Sequence, residues 1–234
     1  MSTIGPGRPR KQQQSRPGAT ARDEILDAAA ELFTTQGFAN TSTRSIADAV
    51  GIRQSSLYHH FGHKDDILEV LLAGTVAGSL AFARRMLSGL ENEAPGAGDS
   101  PGDRTTLRAA ARLHALALFD STQLCTARWN LGVLYNLPEA RSERFSRFMA
   151  DRQELRGIYG RLGDALTQNL WEGAGHGGDL VFRVVESLVN LRADGLLAPD
   201  SALQAANAGL VLCGLGGILT DIQAASSGLL ADAA

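Results

Sequence analysis

A chain of 234 residues with 44% hydrophobic and 20% charged side chains has the composition of a globular protein, long enough for one or two domains with a sizeable core. Its net charge of −3 excludes a chain that is basic throughout, so a nucleic-acid partner requires an uneven charge distribution. Two distant cysteines, Cys125 and Cys213, exclude a disulfide framework and match no metal or redox spacing. The N-terminus has no apolar run, and the longest apolar stretch, residues 208–219, has 12 residues, too few to cross a bilayer. The expected location is cytoplasmic. Much Ala, Leu and Arg with little β signal favours an all-α fold.

In chain order, residues 1–19 are rich in Pro, Gly and Gln, carry Arg8, Arg10, Lys11 and Arg16 and hold no acid. They are expected to form a disordered basic arm lying along a nucleic acid. Thr20 begins the first helix, with Asp23 completing a capping box. Ile25, Leu26, Ala29, Leu32 and Phe33 form its buried face, and Gly37 stops it. Thr43 is placed to cap a second helix whose Ile46, Ala47 and Val50 share one face; Gly51 ends it, because glycine tolerates the left-handed conformation of a helix stop. In the third helix Leu57 and Phe61, four apart, bury together, which turns Ser55 and His59 outward with Ser56 and Tyr58 on the flanks. Helix, tight turn and helix with a polar outer face make a helix-turn-helix.

Charge placement sharpens this. Arg44, Arg53 and Lys64 lie in or beside the first turns of helices, where the macrodipole disfavours a cation by roughly 0.3 to 1 kcal/mol. A polyanion held outside would offset that cost. Residues 1–64 hold eight Arg or Lys and five acids, a net of +3, while the remainder holds 14 basic and 20 acidic residues, a net of −6. The basic end is the nucleic-acid end.

The helix EILDAAAELFTTQGF, the Thr43-Arg44 start, the AVGI turn and above all LYHHFGHKDDIL carry a resemblance, over residues 20–72, to the DNA-binding domain of the TetR family of bacterial transcriptional regulators. The resemblance implies phosphate contacts from Thr43, Tyr58 and Lys64, joined by Arg53 on its charge and position. It implies base or mixed contacts from Arg44, Gln54, Ser56 and His60, joined by Ser55 and His59, which the helical period turns outward. Gln to adenine and Arg to guanine are the pairings geometry favours.

After Lys64, a long helix presents Leu68, Leu72, Val76, Leu80, Ala83, Leu87 and Leu90, and residues 91–104 form a loop. Thr105 or Thr106 caps a helix reaching about Ser121, a shorter helix covers 126–134, and Pro138 opens an amphipathic run to about Trp171, kinked near Gly157 or Gly160. Residues 173–179 are a loop, followed by a helix over 179–192, a last helix from 199 or 200 to about 222, and a frayed end. The resulting domains are a basic arm 1–19, a three-helix DNA-binding domain 20–66, and an all-helical effector-binding and dimerisation domain 67–234. The final two helices carry excess apolar surface, including Val184, Leu188, Leu212, Leu215 and Ile218, which a second copy of the chain would cover. The resemblance further implies a homodimer on a palindromic operator and a ligand cavity among the central helices, with His114, Phe119, Trp129, Asn130, Tyr135 and Phe148 as candidate lining. That lining suggests a largely apolar or aromatic effector.

His59, His60 and His63 cluster without Cys or Asp partners at ligand spacing, and no phosphate loop or nucleophile elbow is present. No catalysis, metal or cofactor is therefore expected. The expected function is a ligand-responsive DNA-binding regulator, most simply a repressor; the alternative is a constitutive or architectural dimeric DNA-binding protein.

Overall fold

The computed structural model describes residues 16–92, 101–167 and 177–231, which contain helices and turns and no β-strand. The chain divides into two compact units, residues 1–68 and 69–234.

In the first unit, α1 (Ala21–Thr35), α2 (Thr43–Val50) and α3 (Gln54–Tyr58) pack ahead of the first residues of α4 (Lys64–Asn92). Thr20 caps α1 through the expected box with Asp23, and α1 ends at Gln36, one residue before Gly37 at φ 85. The cap of α2 is Ser42 rather than Thr43. Ser42 and Ser45 exchange side-chain and backbone hydrogen bonds at 3.0 Å each, which makes Thr43 the first helical residue and releases its hydroxyl for other work. Gly51 closes α2 in the left-handed conformation at φ 74. Ile25, Ala29, Phe33, Ile46, Ala47, Leu57 and Phe61 are buried as the periodicity requires, whereas Leu26 and Leu32 are half-buried.

Of the expected arm, residues 1–15 lie outside the described residues, but Arg16 belongs to the fold. Its guanidinium pairs with Asp27 at 3.0 Å and Glu31 at 2.7 Å, and its Nε donates to the Ala49 carbonyl at 3.1 Å. Three partners on α1 and α2 make it a clasp between those helices. Arg16→Ala is expected to lower stability by about 1 to 2 kcal/mol in urea denaturation, since a charged donor with carboxylate and carbonyl partners is lost from a half-screened site. An unchanged midpoint would refute the clasp.

The second unit holds the rest of α4, then α5 (Pro101–Thr126), three short 3-10 turns (Leu131–Asn136, Glu139–Arg141, Glu143–Phe145), α6 (Ser146–Thr167), α7 (Gly177–Ala193), α8 (Ser201–Leu212), a further 3-10 turn (Gly216–Ile218) and α9 (Leu219–Ala231). Several expected boundaries move. Pro101, which needs no amide partner at a helix start, opens α5 four residues before Thr105, and α5 runs to Thr126 instead of stopping near Ser121. The expected helix at 126–134 is a 3-10 turn, and Pro138 opens a second one, not a long helix. Gly177 to Asp179 are helical, not loop. The single helix expected over 199–222 is broken at Gly214, whose φ of 77 a continuous helix cannot hold, and residues 226–231 continue α9 instead of fraying.

Helix α5 is the hub, packed on α6, α7, α8 and α9, while α7 packs on both α6 and α8. At the α6–α7 seam, a Cβ on Gly178 would stand 1.8 Å from the Tyr159 carbonyl oxygen, so only glycine permits that approach. By length and composition α4 is apolar enough to cross a membrane, longer than the 208–219 stretch singled out above. Its Leu72, Val76, Leu80, Phe82 and Ala83 are buried in protein, which accounts for the same composition.

Candidate nucleic-acid interface

The outward surface of α2 and α3 is assembled from short-range chemistry. Helix α3 has five residues and ends at Tyr58; the Phe61 amide still donates to the Leu57 carbonyl at 3.0 Å, which keeps Phe61 on the buried side. Gln54, Ser55, His59 and His60 are exposed and Ser56 is half-buried. The early end of α3 turns His60 outward even though a continued helix would place it only about 60° from Leu57.

Thr43, freed from capping, meets Tyr58 with Oγ1 and OH 3.1 Å apart, and Gln54 Nε2 donates to Thr43 Oγ1 at 3.0 Å. Three of the expected contact residues thus form one polar cluster tying the first turn of α2 to α3, and Tyr58 is 48% exposed. Such a cluster fixes rotamers before any partner arrives. Among the described residues Arg44 reaches only Asp48, at 3.9 Å with both side chains exposed, an ion pair of little strength that a phosphate or base edge can replace. Arg53 stands exposed at the cap of α3 with no side-chain cap bond.

Lys64 is different. Its Nζ donates to the Phe38 carbonyl at 2.6 Å and the Thr41 carbonyl at 2.8 Å and lies 4.1 Å from the centre of the Phe38 ring. The cost of a cation at the start of α4 is therefore offset inside the protein, by the loop between α1 and α2, and two of the three ammonium hydrogens are committed there. Asp66 completes that start by accepting from the His63 amide at 2.7 Å. No pattern in the sequence signals the Lys64 contact, because its partners are backbone carbonyls 23 and 26 residues away.

Residues 25–71 match the family model described as bacterial regulatory proteins, tetR family. Over 74 residues the chain is 42% identical to the HTH-type transcriptional repressor KstR2 of Rhodococcus jostii, a match covering 31% of this chain and 36% of that protein. The matched part is thus about a third of the length of that curated relative. Among solved structures, that of KstR2 of Mycobacterium tuberculosis superposes with a TM-score of 0.61 at 25% identity, covering 86% of this chain and 96% of the other. The crystal structure of Mycobacterium smegmatis AmtR superposes with a TM-score of 0.80 at 47% identity, over 94% of this chain and 98% of the other. The chain belongs to the TetR family. It is a helix-turn-helix transcriptional regulator, and the TetR family is not one of enzymes.

In the second unit of this TetR-family chain, the six residues expected to line an effector cavity do not converge. His114 is buried between Ser226, 2.8 Å from Nδ1, and Asn207, 3.0 Å from Nε2, and burial lowers its pKa. Phe119 stacks on Phe82 at 4.5 Å, Asn130 donates to the Val189 carbonyl at 2.9 Å, Phe148 packs against Tyr135 at 5.5 Å, and Trp129 is half-buried beside Arg128. Of the six, Tyr135 borders a cleft of about 280 Å3 among the described residues, shared with Arg152, Arg183, Glu186 and Asn190. That lining is polar and charged, in contrast to the apolar or aromatic one expected.

Sequence reasoning missed the charged cleft because the pair that joins α6 to α7, Arg152 with Glu186, is separated by 34 positions. It also missed Asp120, whose buried carboxylate accepts from Ser79 Oγ at 2.7 Å and Tyr159 OH at 3.1 Å. Of the expected dimer residues, Leu188 and Leu215 are buried within the chain and are corrected to core. Val184 is half-buried, and Leu212 and Ile218 are exposed, together with Leu203 and Val211.

Proposed function

We propose that the chain is a dimeric, ligand-responsive repressor that reads a palindromic operator with half-sites about one helical turn apart. The observation that carries this is the exposed, pre-bonded cluster of Thr43, Gln54 and Tyr58 flanked by Arg44 and Arg53. Thr43, Tyr58 and Arg53 hold phosphates, while Arg44, Gln54, Ser55, Ser56, His59 and His60 face the bases. Lys64 acts by fixing the loop that seats α2. Repression is favoured by the similarity to KstR2 of Rhodococcus jostii, a transcriptional repressor. The second copy docks on the exposed Val211, Leu212 and Ile218. An effector releases DNA by favouring a subunit arrangement whose spacing no longer fits, which needs a coupling of about 1 to 3 kcal/mol.

A gel-shift titration against the sequence upstream of the protein's own gene, repeated over salt, tests this. Arg53→Ala is expected to weaken binding to all sequences alike and to reduce the slope of log affinity against log salt by about 0.9. Absence of binding at low ionic strength would remove the proposal, and an unchanged slope would remove Arg53 from it.

A further inference from the structure

The cleft between the Leu131–Asn136 turn, α6 and α7 contains two guanidinium groups and one carboxylate. Arg152 Nη2 meets one oxygen of Glu186, and Arg183 Nη1 donates to the other at 2.9 Å. One anion in the cleft thus serves two cations, and the buried Asp120 is the further carboxylate within electrostatic reach of Arg152. Arg152 Nε is buried and has no hydrogen-bond partner among the described residues, and its guanidinium lies against the rings of Tyr135 and Phe182 at 5.4 and 5.7 Å. Burial leaves a charged donor wanting an acceptor. A guanidinium held against two rings and a carboxylate has little freedom, and its fork suits planar or tetrahedral oxyanions. Ser187 and Asn190 add neutral hydrogen-bonding groups at the rim, and the cleft, at about 280 Å3, holds on the order of ten non-hydrogen atoms.

We propose that this cleft binds a small organic oxyanion, a carboxylate or a phosphate ester, between Arg152 and Arg183, with Glu186 as the resident counter-ion that the ligand competes with. The proposal names the chemical class of the effector and so rests on the ligand-responsive reading above. Tyr135 supplies a route onward: it borders both this cleft and the smaller one lined by Asp120 and by Thr75 on α4.

The test uses the full-length protein in two separate measurements. Calorimetry without DNA is run with succinate, citrate, glycerol 3-phosphate, inorganic phosphate and the neutral, size-matched succinamide. Saturable binding of at least one oxyanion but not of succinamide is expected, and the arms separate carboxylate from phosphate. Arg183→Ala should weaken that binding at least tenfold. Glu186→Gln should strengthen it severalfold, because the competing charge is removed while the side chain keeps its shape. Opposite signs from neighbouring substitutions cannot come from misfolding alone. No saturation by any oxyanion up to 10 mM, or equal binding by the wild type and both variants, overturns the site. The gel shift is then repeated with the oxyanion that binds: release of DNA by the wild type but not by Arg183→Ala supports its role as effector. Binding that leaves DNA affinity unchanged refutes that role while keeping the site.

Discussion

Lys64→Met is expected to destabilise the protein by about 2 to 3 kcal/mol and to weaken operator binding about tenfold or more while leaving the salt dependence of that binding nearly intact. Methionine preserves the apolar stem of the side chain but removes the ammonium that now bonds the Phe38 and Thr41 carbonyls. Hydrogen bonds from a charged donor contribute about 1.5 to 3 kcal/mol, and the carbonyls are left poorly matched when it goes. The loop that loses them sets the position of Ser42 and Thr43, so the cluster with Gln54 and Tyr58 loosens and affinity falls through geometry. A residue gripping phosphate behaves otherwise: its loss reduces the salt slope by about 0.9. Urea denaturation and a salt-resolved gel shift on the same variant decide between the two. Unchanged stability with a reduced slope would return Lys64 to the DNA surface.

The second large effect is a pH dependence centred on Asp120. Burial pushes its carboxyl up from 3.8 to about 6, against the opposing pull of hydrogen bonds from Ser79 and Tyr159; Glu186 raises it further and Arg152 lowers it. The folded protein therefore holds this proton more tightly than the unfolded chain does. The stabilisation is fully present below about pH 4 and is lost as pH rises through about 6, a change of about 3 kcal/mol. Asp120→Asn removes the charge and keeps an acceptor for Ser79. Relative to wild type, the variant should gain stability between about pH 4 and 6 and then level off, remaining about 2 to 3 kcal/mol more stable at pH 8. A difference that stays constant with pH, measured in urea, would show that Asp120 does not titrate in this range.

What the sequence made legible follows the range of the interactions. The first unit depends on caps, a four-residue apolar spacing and a glycine stop, all readable within a few positions, and Ile46, Val50, Leu57, Phe61 and Gly51 stand where those rules place them. The misplaced cap is instructive: Ser42 and Thr43 are both capable, and the choice falls to Ser42 because Ser45 can reciprocate. In α8 and the turn after it the residues are apolar nearly all round, so periodicity cannot tell core from contact surface there. Leu215 belongs to the first, Leu212 to the second. Nor does composition reveal that Gly214 breaks a helix while Gly209, set close against Val181, lies inside one. The charged cleft depends on Arg152 reaching Glu186 from another helix, which only tertiary packing brings about, although Arg183 and Glu186 are neighbours on one turn of α7.

The glycine seam between α6 and α7 has a mechanical corollary. With Gly163 and Gly178 in direct backbone apposition, no compressible side chain separates the two rods at that level, and they are fused into a single plank. A guest entering between Arg152 and Arg183 cannot prise them apart there, so any displacement it causes must be taken up by the thinner Leu131–Asn136 segment.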